Sequence, residues 1–453
     1  MLHEILSQYF EDIEDSIRKL ESANVERYEE EILTSSRANL RKDLSLKLAG
    51  KEKQMDKPKE RIGLEVESLA DELFAVSDFL LENPEIAYEE FKACDHLSHV
   101  LERNGFQVEK GVGNVETSFL ARPADCPPSR PTVVLLAEYD ALPKIGHGCG
   151  HNLIAAASLG AVMALRRIMG AAAGALVLVG TPAEEGGGGK VRLAEAGVFK
   201  EMDAAMMFHP GSINIPGKGM LGRIKFKIEF FGRTAHASGS PDKGINALDA
   251  LILAYGGINA YRQHLRPDGR IHGIITHGGD APNIIPDYAA GLFYVRAASR
   301  TYRDDLLERV KNCCQGAALA TGAEFNVDVQ HPVLDPMKRN PALEAAALDN
   351  MKALGMVIDN DDGRRGSSDM GNLSHYLPAI HPYLAIVAPE IPGHSVEFRD
   401  ATTSTRGRRT LLAAAKMLAM TAWDFLRSPE LREKVRRDFN VPEYVYRPLV
   451  GFF

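Results

Sequence analysis

In this chain of 453 residues, Gly146-His147-Gly148-Cys149-Gly150-His151-Asn152 sets a thiol and an imidazole two positions apart among glycines. Thr181-Pro182-Ala183-Glu184-Glu185 sets two carboxylates side by side behind the apolar run 175–179. Thiolate sulfur, imidazole nitrogen and carboxylate oxygen together suit a borderline-soft divalent ion such as zinc. A second glutamate next to a carboxylate ligand would supply the general base for metal-assisted hydrolysis. The combination points to a metallohydrolase.

Taken singly, each group has a plainer reading. Cys149 could be a small buried hydrophobe, and Glu184-Glu185 an exposed acidic pair. His151 changes the first reading, because the glycines around it let both donors converge on one ion. Position changes the second, since the acidic pair follows a buried strand and precedes Gly186-Gly187-Gly188-Gly189. That glycine run lacks the Gly-Lys-Ser/Thr ending of a phosphate loop. His209, before Pro210, could be a satisfied core histidine, and His394, in Ile391-Pro392-Gly393-His394-Ser395, an ordinary loop residue.

The elements that must carry these groups alternate. Helical spacing covers 69–81 and 153–168, and buried strands cover 132–137, 175–180 and 204–208. Such alternation predicts an α/β layer with a mostly parallel sheet flanked by helices. The candidate ligands then fall just after strands, where open α/β sheets place their sites. Between 223 and 329 the order becomes β-α-β-β-α-β, with strands at 223–231, 271–276, 289–296 and 324–329 and helices at 246–261 and 304–321. This is a ferredoxin-like α+β unit, inserted as a lid. Helices at 342–354 and 404–426 and a strand at 383–388 complete the body. The expected boundaries are a charged helical N-terminal extension over 1–60, the first part of the catalytic domain over 61–217, the lid over 218–331, and the second part over 332–453. Apolar spacing suggests paired helices before residue 33, and the charged run 51–59 reads as a linker.

Composition excludes several classes. A hydrophobic share of 45% with 25% charged residues is ordinary for a soluble protein, and a net charge of -8 carries no nucleic-acid footprint. The apolar runs 155–165 and 171–179 are too short to span a bilayer, and the acidic N-terminus is not a secretory signal. Five scattered cysteines fit a reducing compartment, so a cytoplasmic location without membrane partners is expected.

The ordered series Ala137-Glu138-Tyr139-Asp140-Ala141-Leu142-Pro143, Gly148-Cys149-Gly150-His151, Pro182-Ala183-Glu184-Glu185, Phe208-His209-Pro210, Gly232-Arg233-Thr234-Ala235-His236-Ala237-Ser238, Pro282-Asn283-Ile284-Ile285-Pro286 and Gly393-His394-Ser395 resembles the M20 metallopeptidase and amidohydrolase family. Within it, Glu138-Tyr139-Asp140 and Gly150-His151-Asn152 look most like the aminoacylase-1-like and peptidase M20 domain-containing 2 branch, with the bacterial aminobenzoyl-glutamate hydrolases close by. The resemblance covers about residues 62–430 and leaves the first 60 uncovered.

It implies that Cys149, His151, Glu185, His209 and His394 ligate one or two divalent ions, with zinc first and manganese or cobalt as alternatives. It implies that Glu184 is the general acid/base and that Asp140 orients a ligand from behind. His236 would stabilise the oxyanion, usually in the partner subunit's site, while Asn283 and Arg296 would hold the substrate's amide and carboxylate. Glu138 departs from the pattern, standing where many relatives have a metal-binding histidine. The expected protein is a metal-dependent amidohydrolase, homodimeric through its lid, that cleaves a small dipeptide or an N-acyl or aminoacyl amino acid. An N-acyl or aminobenzoyl-glutamate-type deacylase is the alternative within the enzyme class. A catalytically silent, metal-containing binding or scaffold protein is the alternative outside it.

Overall fold

The computed structural model describes residues 57–441. Contacts divide the chain into Met1–Lys57 and Pro58–Phe453. The helices expected before residue 33 and most of the expected linker lie outside the described residues. The end of that linker is instead helical. Lys57, Pro58 and Lys59 open α1 (Lys57–Ser68), and proline suits a first turn because its missing N–H has no helical partner to lose.

The core of the body is a six-stranded sheet. At its centre β3 (Val133–Ala137) and β4 (Leu176–Gly180) run parallel and are buried at every residue. Strands covered on both faces read as continuous apolar runs, so these two are plain in the sequence. β5 (Ala204–Met206) and β11 (Ala379–Ile380) extend the parallel side. On the other side β1 (Phe106–Lys110) and β2 (Phe119–Pro123) add antiparallel pairs. The strands lie in the order β1-β2-β4-β3-β5-β11. The sequence reading missed β1 and β2. The polar residues Gln107, Glu109 and Lys110 of β1 are not buried, which masks its periodicity.

Helix α3 (His151–Met169) covers the sheet and itself lies beneath α2 (Ala70–Glu82) and α6 (Thr405–Arg427). At 19 residues it is long and apolar enough to cross a membrane by length and composition, beyond what the shorter apolar run suggested. Its burial within the body accounts for that character, with residues 151–165 all buried. Gly160 permits the closest approach, since a Cβ there would fall 2.6 Å from Leu73 Cδ1.

The lid is a second sheet, made of β7 (Gly222–Phe231), β8 (Arg270–His277), β9 (Tyr288–Ala297) and β10 (Glu324–Leu334). Its order is β10-β7-β9-β8, with all adjacent pairs antiparallel. Alternate residues of β7 are buried, as expected for a sheet with one face on helices and one towards solvent. Those helices are α4 (Ala247–Arg262) and α5 (Arg300–Thr321), and they share one apolar core with the strands. Asn246 caps α4 by accepting from Leu248 N at 2.9 Å, and Ser299 caps α5 by accepting from Tyr302 N at 3.2 Å.

The strand expected over 204–208 is cut short. The run 204–208 ends its ladder at Met206, and His209 opens β6 (His209–Gly211), which pairs in parallel with β12 (Tyr383–Ala385). The strand expected over 383–388 likewise stops at Ala385.

Candidate metal centre and active site

The chemistry-bearing side chains gather where the parallel strands end. Glu138, Tyr139 and Asp140 leave β3 and are buried. A loop then returns through Cys149 to Gly150, whose φ of 76° lies in the left-handed region that glycine tolerates. A Cβ at Gly150 would also sit 2.6 Å from Pro210 Cγ, so glycine is needed there twice over. The next residue, His151, is the first of α3. Beyond β4, Thr181 N donates to Ala137 O at 2.7 Å, and the chain turns at Ala183 (φ 59°) into Glu184 and Glu185. His394 comes from the far end of the chain, tied in by its N–H to Gly148 O at 3.0 Å.

Three groupings could each hold a divalent ion. They are Cys149 with His151 and His209, Cys149 with Glu185 and His394, and His151 with Glu184 and Glu185. Cys149 Sγ lies 3.4 Å from His209 Nε2, and His394 Nε2 lies 3.3 Å from Glu185 Oε1. The hydrogen bonds behind the rings decide their tautomers. His151 Nδ1 faces two acceptors, Asp140 O at 2.9 Å and Asp140 Oδ1 at 3.0 Å, so it carries the proton. His209 Nδ1 faces Pro210 O at 2.6 Å and carries its proton for the same reason. In its neutral form each ring therefore turns Nε2 towards the cluster as a lone-pair donor, as a metal-binding imidazole must. His151 Nε2 is buried without a hydrogen-bond partner, and so is Glu138 Oε2, 3.5 Å away.

The electrostatics ask for a cation. Burial alone would hold His151 low, but the surrounding Asp140, Cys149 and Glu138 overcome it and push its pKa well above the usual range. Burial and the neighbouring carboxylates of Glu138 and Glu185 push Glu184 well up, and burial and Glu185 raise the Cys149 thiol. His209, desolvated, falls to about 4. A buried region crowded with negative groups favours any species that brings positive charge, and its donor set of thiol, imidazole and carboxylate suits a divalent metal.

A fourth grouping, Glu138 with Glu184 and Asp369, already holds a cation. Lys190 Nζ donates to Glu138 Oε1 at 2.5 Å and to Asp369 Oδ1 at 2.7 Å. Glu138 thus meets a buried lysine through one oxygen and the His151 ring through the other.

The structure brings Cys149, His151, Glu184, Glu185, His209 and His394 together with Asp140 behind them. It leaves three expected site residues on the lid, and none of the described contacts joins them to that cluster. His236 is exposed and accepts from Gly239 N at 3.0 Å on Nδ1, so Nε2 is its free N–H donor. Asn283 lies beside it, its carbonyl accepting from Ala237 N at 2.9 Å. Arg296 donates to Ser367 Oγ at 2.8 Å. Sequence reasoning missed Glu90, Lys190, Asp369, His381 and Tyr383. His381 and Tyr383 pack their rings 5.3 Å from that of His209, and Lys218 lies 4.3 Å from the Tyr383 ring centre. The only signal for Tyr383 was its place at the head of the strand expected over 383–388.

A family model for "Peptidase family M20/M25/M40" matches residues 134–419. The Xaa-Arg dipeptidase of Mus musculus is 37% identical over 398 residues, covering 84% of this chain and 92% of that protein. A p-aminobenzoyl-glutamate hydrolase polypeptide of Escherichia coli is 34% identical over 267 residues, 54% of this chain and 55% of that one. Among solved structures, a dinuclear metal-binding peptidase of the M20 family from Bacillus subtilis superposes with a TM-score of 0.63 at 21% identity, over 80% of this chain and 99% of its own. That last likeness speaks for the fold, and the family match spans every ligand candidate from Cys149 to His394. The chain therefore belongs to peptidase family M20/M25/M40 and is a hydrolase of amide bonds.

Proposed function

We propose that the protein is a metal-dependent dipeptidase in which Cys149, with His151 and His209 on one side and Glu185 and His394 on the other, would hold up to two divalent ions. The observation that carries this reading is the pair of imidazole Nε2 atoms turned towards one thiol and an acidic pair in a buried site. When bound, the metal would lower the pKa of a coordinated water towards neutrality and polarise the scissile carbonyl.

The chain's own groups do the rest. Glu184, with an oxygen 4.0 Å from His151 Nε2, accepts the proton of the attacking water and returns it to the leaving amine. Asp140 holds the acidic pair and a ligand together, since Oδ1 accepts from the His151 ring and Oδ2 from Glu185 N at 2.8 Å. His236 offers its Nε2–H to the developing oxyanion when a lid closes, and Asn283 and Arg296 hold the substrate's amide and carboxylate.

The lid that closes belongs to a second copy. β8 is an edge strand whose outer half carries Ile274 and Ile275 at 63% and 43% exposure, and α4 adds exposed Ile252 and Leu253. An apolar edge of that kind supports pairing between two copies of the chain. Zinc is the expected metal and the cytosol the expected location.

Likeness over most of the chain to an Xaa-Arg dipeptidase favours dipeptides with a C-terminal basic residue as substrates. The test is a panel of dipeptides ending in arginine or in neutral residues, N-acyl amino acids and p-aminobenzoyl-glutamate, each offered to zinc- and manganese-loaded protein. The expected result is the highest kcat/KM on dipeptides ending in arginine. Turnover confined to N-acyl amino acids or p-aminobenzoyl-glutamate would replace the dipeptidase reading with the deacylase one.

A further inference from the structure

Buried carboxylates grip the acidic pair from both sides. Asp140 accepts from the N–H of Glu185, and on the other side Glu90 accepts from the N–H of Ala183 at 2.8 Å. Glu90 has no solvent exposure and stands 93 residues earlier in the chain. The same oxygen, Oε1, accepts from Tyr88 N at 3.0 Å, and Oε2 accepts from Thr117 Oγ1 at 2.8 Å. Thr117 is anchored in turn, its carbonyl accepting from the hydroxyl of fully buried Tyr139 at 2.5 Å. The acceptor is thus fixed from three directions.

What it holds is under strain. Ala183 has a φ of 59°, which an L-residue adopts against the clash of its own Cβ. The turn around it is tight, because a Cβ at Gly187 would lie 2.6 Å from Ala183 Cβ. That turn sets the direction in which Glu184 leaves the backbone. Burial and the charge of Asp140 raise the Glu90 carboxyl to about 7, and its neutral form keeps a carbonyl oxygen towards both N–H groups.

We propose that Glu90 is a positioning residue for catalysis, which pins the Ala183 N–H in its left-handed turn and so sets where the Glu184 carboxylate stands against the ligand cluster. The proposal rests on the reading of Glu184 as the general base.

Two substitutions separate reach from charge. Glu90→Gln keeps the length and an acceptor for both N–H groups, with its amide donating to Thr117 Oγ1. Glu90→Asp keeps the charge but stops about 1.5 Å short. Glu90→Gln should hold kcat within about threefold, and Glu90→Asp should lose about 10- to 100-fold, as misplacement by an ångström does. KM and metal stoichiometry should stay within about twofold in both. In the metal-free protein, hydrogen exchange at the Ala183 amide should quicken in Glu90→Asp and not in Glu90→Gln.

Wild-type kcat in Glu90→Asp overturns the proposal, as does an equal loss in Glu90→Gln. Lowered thermal stability with unchanged kcat in both would leave Glu90 a purely structural residue and overturns it too. If Glu90→Asp does not fold, Glu90→Met fills the same space without an acceptor; it should lose as much kcat, and full kcat there overturns the proposal. Glu184→Gln run alongside keeps the two readings apart. If that variant stays active, the general-base reading fails, and exchange at Ala183 still reports whether Glu90 holds the turn.

Discussion

Lys190 Nζ stands 2.5 Å from Glu138 Oε1, and neither side chain has more than 1% exposure. A lysine buried so completely is retained as a cation because Asp369 and Glu138 outweigh the cost of its desolvation, raising its pKa. The pair explains how Glu138 is tolerated in a buried site beside His151. One oxygen of Glu138 is neutralised by Lys190, and the other faces His151. Lys190→Met should therefore leave two buried carboxylates uncompensated and destabilise the protein by about 3–5 kcal/mol. Urea denaturation would measure this, and a loss below about 1 kcal/mol would contradict the account.

Glu184→Gln preserves shape but cannot accept a proton. The expected outcome is full metal content with kcat reduced by about 10²- to 10⁴-fold. Parallel loss of metal and activity would make Glu184 a ligand instead. Metal analysis beside steady-state kinetics distinguishes the two.

Cys149 belongs to both proposed ligand groups, so Cys149→Ser should weaken the binding of both ions. In the metal-loaded protein Cys149 should resist alkylation, and chelation should expose it. Peptide mass spectrometry can follow Cys149 separately from Cys126 and Cys313, which are also partly exposed. Free alkylation of Cys149 at full metal occupancy would remove it from the ligand set.

His236→Ala should lower kcat by about 10²- to 10³-fold at unchanged metal content, the scale for one oxyanion donor. If the histidine acts across a dimer, mixing inactive Glu184→Gln and His236→Ala protomers should restore part of the activity. Ile274→Asp, on the exposed edge strand, should shift the protein to monomer in sedimentation and lower kcat with it. Full activity in a demonstrated monomer would place His236 within its own protomer's site.

The pH dependence of stability should carry a signature of Glu90. Its folded-state pKa is raised to about 7 from an ordinary 4.5. Between those values the native state holds a proton that the unfolded chain has released, so the stabilisation present below about pH 4.5 fades as pH rises through 7. Glu90→Gln cannot ionise, so its stability relative to wild type should improve between pH 5 and 8, by up to about 3 kcal/mol. Urea denaturation of the metal-free protein across that range, at constant ionic strength, checks the sign.

The features legible in the chain alone are those whose signal is local. β3 and β4 are continuous apolar runs because both their faces are covered, and the lid strand β7 alternates because only one of its faces is. Cys149 with His151, and Glu184 with Glu185, declare their chemistry through neighbours in the chain. Partnerships between distant residues emerge only once the chain is folded. Nothing near Lys190 predicts that Asp369, 179 positions later, will neutralise it together with Glu138. Nothing in Tyr88-Glu89-Glu90 distinguishes the glutamate that lies buried under Ala183 from the one beside it. The tautomers of His151 and His209 likewise follow from which carbonyl or carboxylate lies behind each ring. Such buried polar partnerships leave no periodic trace, because one hydrogen bond needs only one residue at each end, whereas burying a strand or a helix face needs a whole pattern.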